Sequence, residues 1–260
     1  MSGDTIKTAR RAFEVLEYFD AVERPLSLKD IYSKFDYPPS SASGLLKTLV
    51  QLGYLEYDRY TRTYMPTMRV HGLGAWVKNS MFGSNIIALV DYVVEVTGET
   101  VSIGTQSDLF MQYIHTVPSP RAIRLSIKPG AIRPLARSGL GWLLLSSRID
   151  REIEELVRRI NAETAPNAEK TDIDALMGII RTIRADGYVM SQHTVTEGAG
   201  VIGMLIPERR HGRTLAIGVG GPVVRLTEKK ELILQTLRSG FERFLPGDAG
   251  EIHIRLNSSI

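Results

Sequence analysis

The 260-residue chain contains no cysteine. That excludes disulfides, thiolate metal sites and a cysteine nucleophile, and it suits a reducing compartment. No apolar run reaches the roughly 18 residues that a membrane span needs. The first residues, MSGDTIKTARR, lack the apolar core of a signal peptide. Both absences point to the cytoplasm and away from a membrane. Charge of one sign is also scarce. The formal net charge is only +3, so bulk charge announces no polyanion partner, and any basic surface must arise from placement on one face.

Other signals are missing where chemistry would need them. The five histidines (His71, His115, His193, His211, His253) show no metal-ligand spacing. GAGVIG, from Gly198 to Gly203, matches the glycine pattern of a dinucleotide site, but a β-like run ending at Pro207 follows it instead of a helix. Ser138 in SGLG is not a nucleophile elbow. Asp150, Glu152, Glu154 and Glu155 read as a solvated helix face. No catalytic set, metal or cofactor is implied, and the chain is expected to be no enzyme.

What is present is a core-forming chain, 43% hydrophobic and 23% charged, long enough for one small and one larger domain. Ile6, Ala9, Phe13, Leu16 and Phe19 form an apolar stripe that predicts a helix over 6–20. Ser27 is a suitable N-cap for a second helix from about Leu28 to Phe35, with Asp30 at N3 completing a weaker variant of the capping box. Asp36 suits a left-handed turn, and Pro38 or Pro39 the first turn of a third helix. That helix is sharply amphipathic: Ala42, Leu45, Leu46, Leu49 and Val50 on one face, Ser40, Ser43, Gly44, Lys47, Thr48 and Gln51 on the other. Gly53 ends it. YLEYD and RTYMP then read as a hairpin. Three short helices and a hairpin make a winged helix-turn-helix, with the third helix as reader and the hairpin as wing.

Residues 68–97 read as one or two helical segments with a break near 79–83, and Gly98 as their cap. Beyond 99, ETVSIGTQ, LFMQYIHTV, AIRLSI, YVMSQHTV, GVIGMLIP and TLAIGVGG read as strands. RSGLGWLLLSS, IDREIEELVRRINAET and DIDALMGIIRTIRADG read as helices, with Gly187 ending the last. LTEKKELILQTLRSGFERFL closes the domain as one helix capped by Thr227. ERRHGR reads as a hairpin loop, and the tail from Pro246 as loose. Met111, Trp142 and Met190 read as core in preference to walls of a ligand pocket. The fold class is α+β.

The motifs ARRAFEVLEYF, RPLSLKDI, PPSSASGLLKTLVQLGYLEYD, TYMPT, GETVSIGTQ, IKPGAIRPLARSGLGWLLLS, GVIGMLIPERRHGRTLAIGVGGPVVRLT and LRSGFERF, in that order, resemble the IclR-type bacterial transcriptional regulators. The resemblance covers nearly the whole chain. It implies a winged helix-turn-helix DNA-binding domain over 1–67, a linker helix over 68–80, a GAF-like effector-binding domain over 81–246 and a tail over 247–260. It also implies a homodimer or homotetramer on operator DNA, more often a repressor than an activator. Candidate DNA contacts are Arg10, Ser27, Ser40, Ser41, Ser43, Lys47, Thr48, Gln51, Arg59, Arg62 and Thr63, with Arg11 and Tyr60 beside them. Hydroxyls and a helix N-terminus suit phosphate, and Lys47 and Gln51 have the reach for base edges. Gly44 stands where the family often has a large polar residue.

For the effector, the resemblance implies the backbone at Ser138, Gly139, Leu140 and Gly141, and sheet positions His193, Gly203, Gly218 and Gly220. Three glycines suggest a roomy pocket for a ligand larger than a two- or three-carbon acid, such as an aromatic or acyl carboxylate, with His193 pairing to its acid or phenol. The alternative is a small-molecule-binding protein or enzyme whose winged helix contacts protein.

Overall fold

The computed structural model describes residues 6–128, 130–165, 167–207 and 212–246, with the side chains of 74–82 excepted. It divides into two compact units, Met1–Ser80 and Met81–Ile260.

In the first unit, α1 (Lys7–Val22) runs two residues past the predicted end and stops at Glu23, which takes a left-handed conformation. The second helix, α2 (Leu28–Phe35), starts at the predicted capping box: the Ser27 hydroxyl accepts from the Asp30 amide, and Asp30 accepts from the Ser27 amide. Its end is the left-handed Asp36. Pro39 opens α3 (Pro39–Gln51), and Gly53 turns the chain at φ 77°. The sequence pattern omits one strand. Leu26–Ser27 (β1) pairs with β3 (Thr63–Pro66), which also pairs with β2 (Leu55–Asp58). Two residues are too short to show a period, so only pairing with the wing reveals β1. The core is Val15, Phe19, Leu26, Ile31, Ala42, Leu46, Leu49 and Leu55, drawn from all three helices and the wing.

One long helix, α4 (Met68–Thr97), follows and is broken at Gly83, whose φ of 52° and ψ of 165° are not helical. The second unit is a six-stranded antiparallel sheet. Its strands are β4 (Thr100–Ser107), β5 (Phe110–Val117), β6 (Ile132–Pro134), β7 (Val189–Gln192), β8 (Ala199–Leu205) and β9 (Leu215–Pro222), in spatial order β6-β5-β4-β9-β8-β7. One face packs on the second half of α4 and on α9 (Lys230–Phe244) through Leu89, Val93, Ile103, Ile217, Ile233 and Leu237. The other carries α5 (Gly139–Ser146), α6 (Asp150–Glu163) and α7 (Ile173–Asp186) over Leu140, Leu143, Val157, Ile180 and Ala216. Strand alternation sorts the two sets.

Two expectations need correction. The closing helix is two helices, α8 (Val223–Glu228) and α9, broken at Lys229; Thr227 lies inside α8 and donates to the Val223 carbonyl instead of capping. AIRLSI, residues 122–127, is not a strand, and the sheet edge is β6 instead. The segment is tied to the sheet by side chains, not by a backbone ladder: the Leu125 carbonyl accepts from the Thr100 hydroxyl. Most of the ERRHGR loop and the tail from 247 lie outside the described residues.

Candidate functional site

On α3 the apolar face is consumed by the core, which leaves Ser40, Ser41, Gly44, Lys47, Thr48 and Gln51 exposed, while Ser43 is half-buried. Residues 40, 44, 47 and 51 follow helical spacing, so they form one column. Thr48 donates to the Gly44 carbonyl, 2.9 Å away, and so has part of its bonding capacity engaged. The wing loop is pinned by Asp58, whose Oδ1 accepts from the amides of Tyr60 (2.7 Å) and Thr61 (3.3 Å). Those bonds hold its carboxyl below the usual carboxylate range. Arg59, Tyr60 and Arg62 are exposed on that loop, and the Thr63 hydroxyl meets that of Thr61 at 2.7 Å.

Arg10 is exposed and pairs with Glu14 at 3.4 Å. Arg11 does not reach outward: its guanidinium lies 4.3 Å from the centre of the Tyr37 ring, and Tyr37 donates to Glu14. Burial and that Glu14 bond push the Tyr37 hydroxyl up to about 12. Ser27 is also corrected, from a DNA contact to a cap, because its hydroxyl serves Asp30. Replacing Ser27 with alanine is expected to cost about 1 kcal/mol. Amide exchange across α2 should quicken about fivefold, with DNA affinity of the folded chain unchanged. Gly44 has open space around a would-be Cβ. Gly44→Ala should therefore raise the thermal midpoint through about 1 kcal/mol of helix propensity. If DNA backbone lies against Gly44, operator affinity falls in the same variant.

In the second unit, Ser138 precedes α5 in an extended conformation and is only 2% exposed. Its Oγ has no hydrogen-bond partner among the described residues. The first-turn amides of α5 (Gly139, Leu140, Gly141) have no acceptor within their own helix. A buried hydroxyl and a helix N-terminus together suit an anionic oxygen. Close packing explains the two glycines: a methyl at Gly139 would sit 2.5 Å from Ser191 Oγ, and one at Gly141 would run into the Leu135 carbonyl.

The sheet glycines overturn the expectation of a roomy pocket. Gly203 and Gly218 face each other across β8 and β9, and Leu140 fills the space above both, 3.0 and 2.7 Å from where a Cβ would be. Gly220, opposite Thr100, is filled by Leu125 at 2.7 Å. Glycine here permits close approach of a neighbour. His193 lies beyond the end of β7 with φ 57°, and its Nδ1 is 3.1 Å from the Gly198 amide and 3.0 Å from Glu197. Its exposed ring thus serves its own loop. The glycine pattern at 198–203 runs into β8, so no helix follows it. A cavity of about 580 Å³ opens elsewhere, among Trp142, Leu176, Ile179, Thr194 and Val195, with the paired Arg137 and Glu169 at its edge. It holds no buried unpaired donor comparable to Ser138. Among the described residues, no group of three His, Asp or Glu could hold a metal ion, and no helix is long and apolar enough to cross a membrane.

Residues 8–59 match the IclR helix-turn-helix domain, and residues 84–241 match the family described as bacterial transcriptional regulator IclR C-terminal. The chain belongs to the IclR family. It is 28% identical over 227 residues to the HTH-type transcriptional regulator BhcR of Paracoccus denitrificans, spanning 86% of this chain and 81% of that one. The Thermotoga maritima IclR crystal structure superposes with a TM-score of 0.74 at 20% identity, over 92% of this chain and 98% of that one. An IclR homologue from Microbacterium hydrocarbonoxydans, solved with 4-hydroxybenzoate, gives 0.70 at 20% identity, over 92% and 99%. This IclR-family chain is accordingly a transcriptional regulator, not an enzyme, with a helix-turn-helix DNA-binding domain followed by an effector domain. Periodicity along the sequence points to α3 and the wing, and the resemblance points to Ser138–Gly141. Neither points to Leu125 or Ser191, which meet Gly220 and Gly139 only through tertiary packing.

Proposed function

We propose that this chain is a repressor that holds two operator half-sites as a homodimer or homotetramer and changes its grip when a small carboxylate binds at the buried turn that starts α5. The DNA-binding part is 1–67, the linker 68–80 and the effector part 81–246. The observation that carries the first half is the exposed column of Ser40, Gly44, Lys47 and Gln51 on a helix whose other face is core. Ser41 lies at the N-terminal turn for phosphate, and Arg59 and Arg62 extend from the wing. Half-sites one turn apart, about 34 Å, would suit a two-fold assembly.

The second half rests on the buried Ser138 hydroxyl beside the amides of Gly139, Leu140 and Gly141. A carboxylate fits that donor set, and the relative solved with 4-hydroxybenzoate favours an aromatic acid. The ligand shifts DNA binding only by its differential affinity for the two arrangements. Anisotropy with DNA upstream of the chain's own and neighbouring genes, at two salt concentrations and against unrelated DNA, tests the reading. Sequence-dependent binding that survives moderate salt is expected, with 4-hydroxybenzoate and acyl carboxylates altering it. Equal binding to every DNA, abolished by salt, would overturn it.

A further inference from the structure

The segment that reads as a strand and is not one, 119–127, lies across the end of the sheet. Of its nine residues only Ser119 is buried, and only Leu125 and Ile127 are half-buried. Its ties are polar. The Ser119 hydroxyl donates to the Gly98 carbonyl (2.7 Å), and the Ser119 amide donates to Thr100 Oγ1 (3.0 Å). Thr100 Oγ1 in turn donates to the Leu125 carbonyl (2.7 Å). With so little apolar burial, such a segment opens at far lower cost than the sheet beneath it.

A charged cluster at the same end contacts it. The Glu99 side chain is wholly buried. It accepts from Arg225 Nε (2.9 Å) and Nη2 (2.6 Å) and from Lys229 Nζ (3.0 Å). Arg121, on the segment itself, stands 3.8 Å away and is half exposed, so it contributes little alone. The informative bond is another. Arg225 Nη2 also donates to the Ile123 carbonyl at 3.0 Å. Glu99 takes one proton of that nitrogen and thereby aims the second at the segment. Lys229 meanwhile bridges Glu99 to the Thr97 carbonyl at the end of α4 (2.7 Å), so the same carboxylate also holds that helix end.

We propose that Glu99 is a positioning residue of the effector site: it orients Arg225, which pins segment 119–127 as a lid and seats Leu125 over Gly220. This rests on the reading of the α5 turn as the effector site. A ligand with an aromatic ring enters at the Gly220 end only when Arg225 releases Ile123 and Leu125 withdraws.

The absence of cysteine makes the test clean, because one introduced thiol is the only thiol. The full-length chain is prepared with Leu125→Cys, with Ile123→Cys as an exposed control and with Ala216→Cys as a buried control on the same sheet face. Reaction with Ellman's reagent is followed without ligand. The thiol at position 125 is expected to react about tenfold slower than the thiol at position 123, and Arg225→Lys, which removes the fork, to bring the two within about threefold. The thiol at position 216 stays slow throughout, which a merely structural role for the cluster would not allow. Amide exchange across 119–128, in the parent and in Arg225→Lys without added thiols, should rise in parallel. Equal rates at positions 125 and 123 in the parent background, no change in Arg225→Lys, or a rise at position 216 would overturn the proposal. Because no ligand is present, the rates judge the lid even if the α5 turn is not the effector site; that reading fails separately, in the anisotropy screen.

Discussion

Lys47→Ala is expected to weaken operator binding by about 1–3 kcal/mol, roughly five- to 150-fold, while leaving the fold intact. Lys47 is exposed in the middle of the α3 column, one turn from Gln51, and no core packing depends on it. Its neighbours are less available: Thr48 is bonded to the Gly44 carbonyl, Ser43 is half-buried, and Gly44 has no side chain. The burden of reading or gripping DNA therefore falls on few groups. The salt dependence of the variant tells which. If Lys47 grips a phosphate, its removal weakens binding to all sequences and reduces the salt slope by about 1. If it reads a base edge, its removal flattens the preference at one position. Affinity unchanged within twofold would remove α3 from the DNA-reading role.

Glu99→Gln is the second large effect. It should lower unfolding free energy by about 3 kcal/mol at pH 7, read as a shift of the urea midpoint of the effector unit. The figure sits at the low end for a broken buried pair because Arg225 and Lys229 retain some access to water. The effect is pH-dependent with a definite sign. Burial pushes the Glu99 carboxyl up, but the hydrogen bonds from Arg225 and Lys229 and their charges outweigh it and hold it below 4.5, the ordinary glutamate value. A group that titrates lower when folded contributes fully above its unfolded value and loses that contribution as pH falls through its folded value. Parent and variant should therefore differ most above pH 4.5 and converge under strong acid. A gap that stays constant down to strong acid would show that the charge of Glu99 is not what stabilises the cluster.

These two residues lie at opposite ends of what a sequence can disclose. Lys47 is legible because α3 is a local object. Its stripe, its proline start and its glycine stop all fall within one short stretch of chain, and a helix whose one face is core must expose the other. The capping box at Ser27 and Asp30 and the kink at Gly83 are legible for the same reason, since the interactions or the backbone freedom involved are near in sequence. The same locality misleads at Ser27, where a hydroxyl suited to phosphate is already bonded within its own helix turn. It misleads again at 122–127, where alternation resembles a strand but the segment forms no ladder with the sheet.

Periodicity, caps and turn residues act over a few positions, so the winged helix-turn-helix, most strands and helices of the larger unit and the place of the α5 turn are legible along the chain. What Gly203, Gly218 and Gly220 are for emerges only in the folded chain. Leu140 and Leu125 reach Gly203, Gly218 and Gly220 from 63 to 95 positions away along the chain. Folding likewise brings Glu99 and Arg225, 126 positions apart, together in the cluster beside segment 119–127. A buried charge selects its partners by distance in space, and no pattern along the chain records that distance.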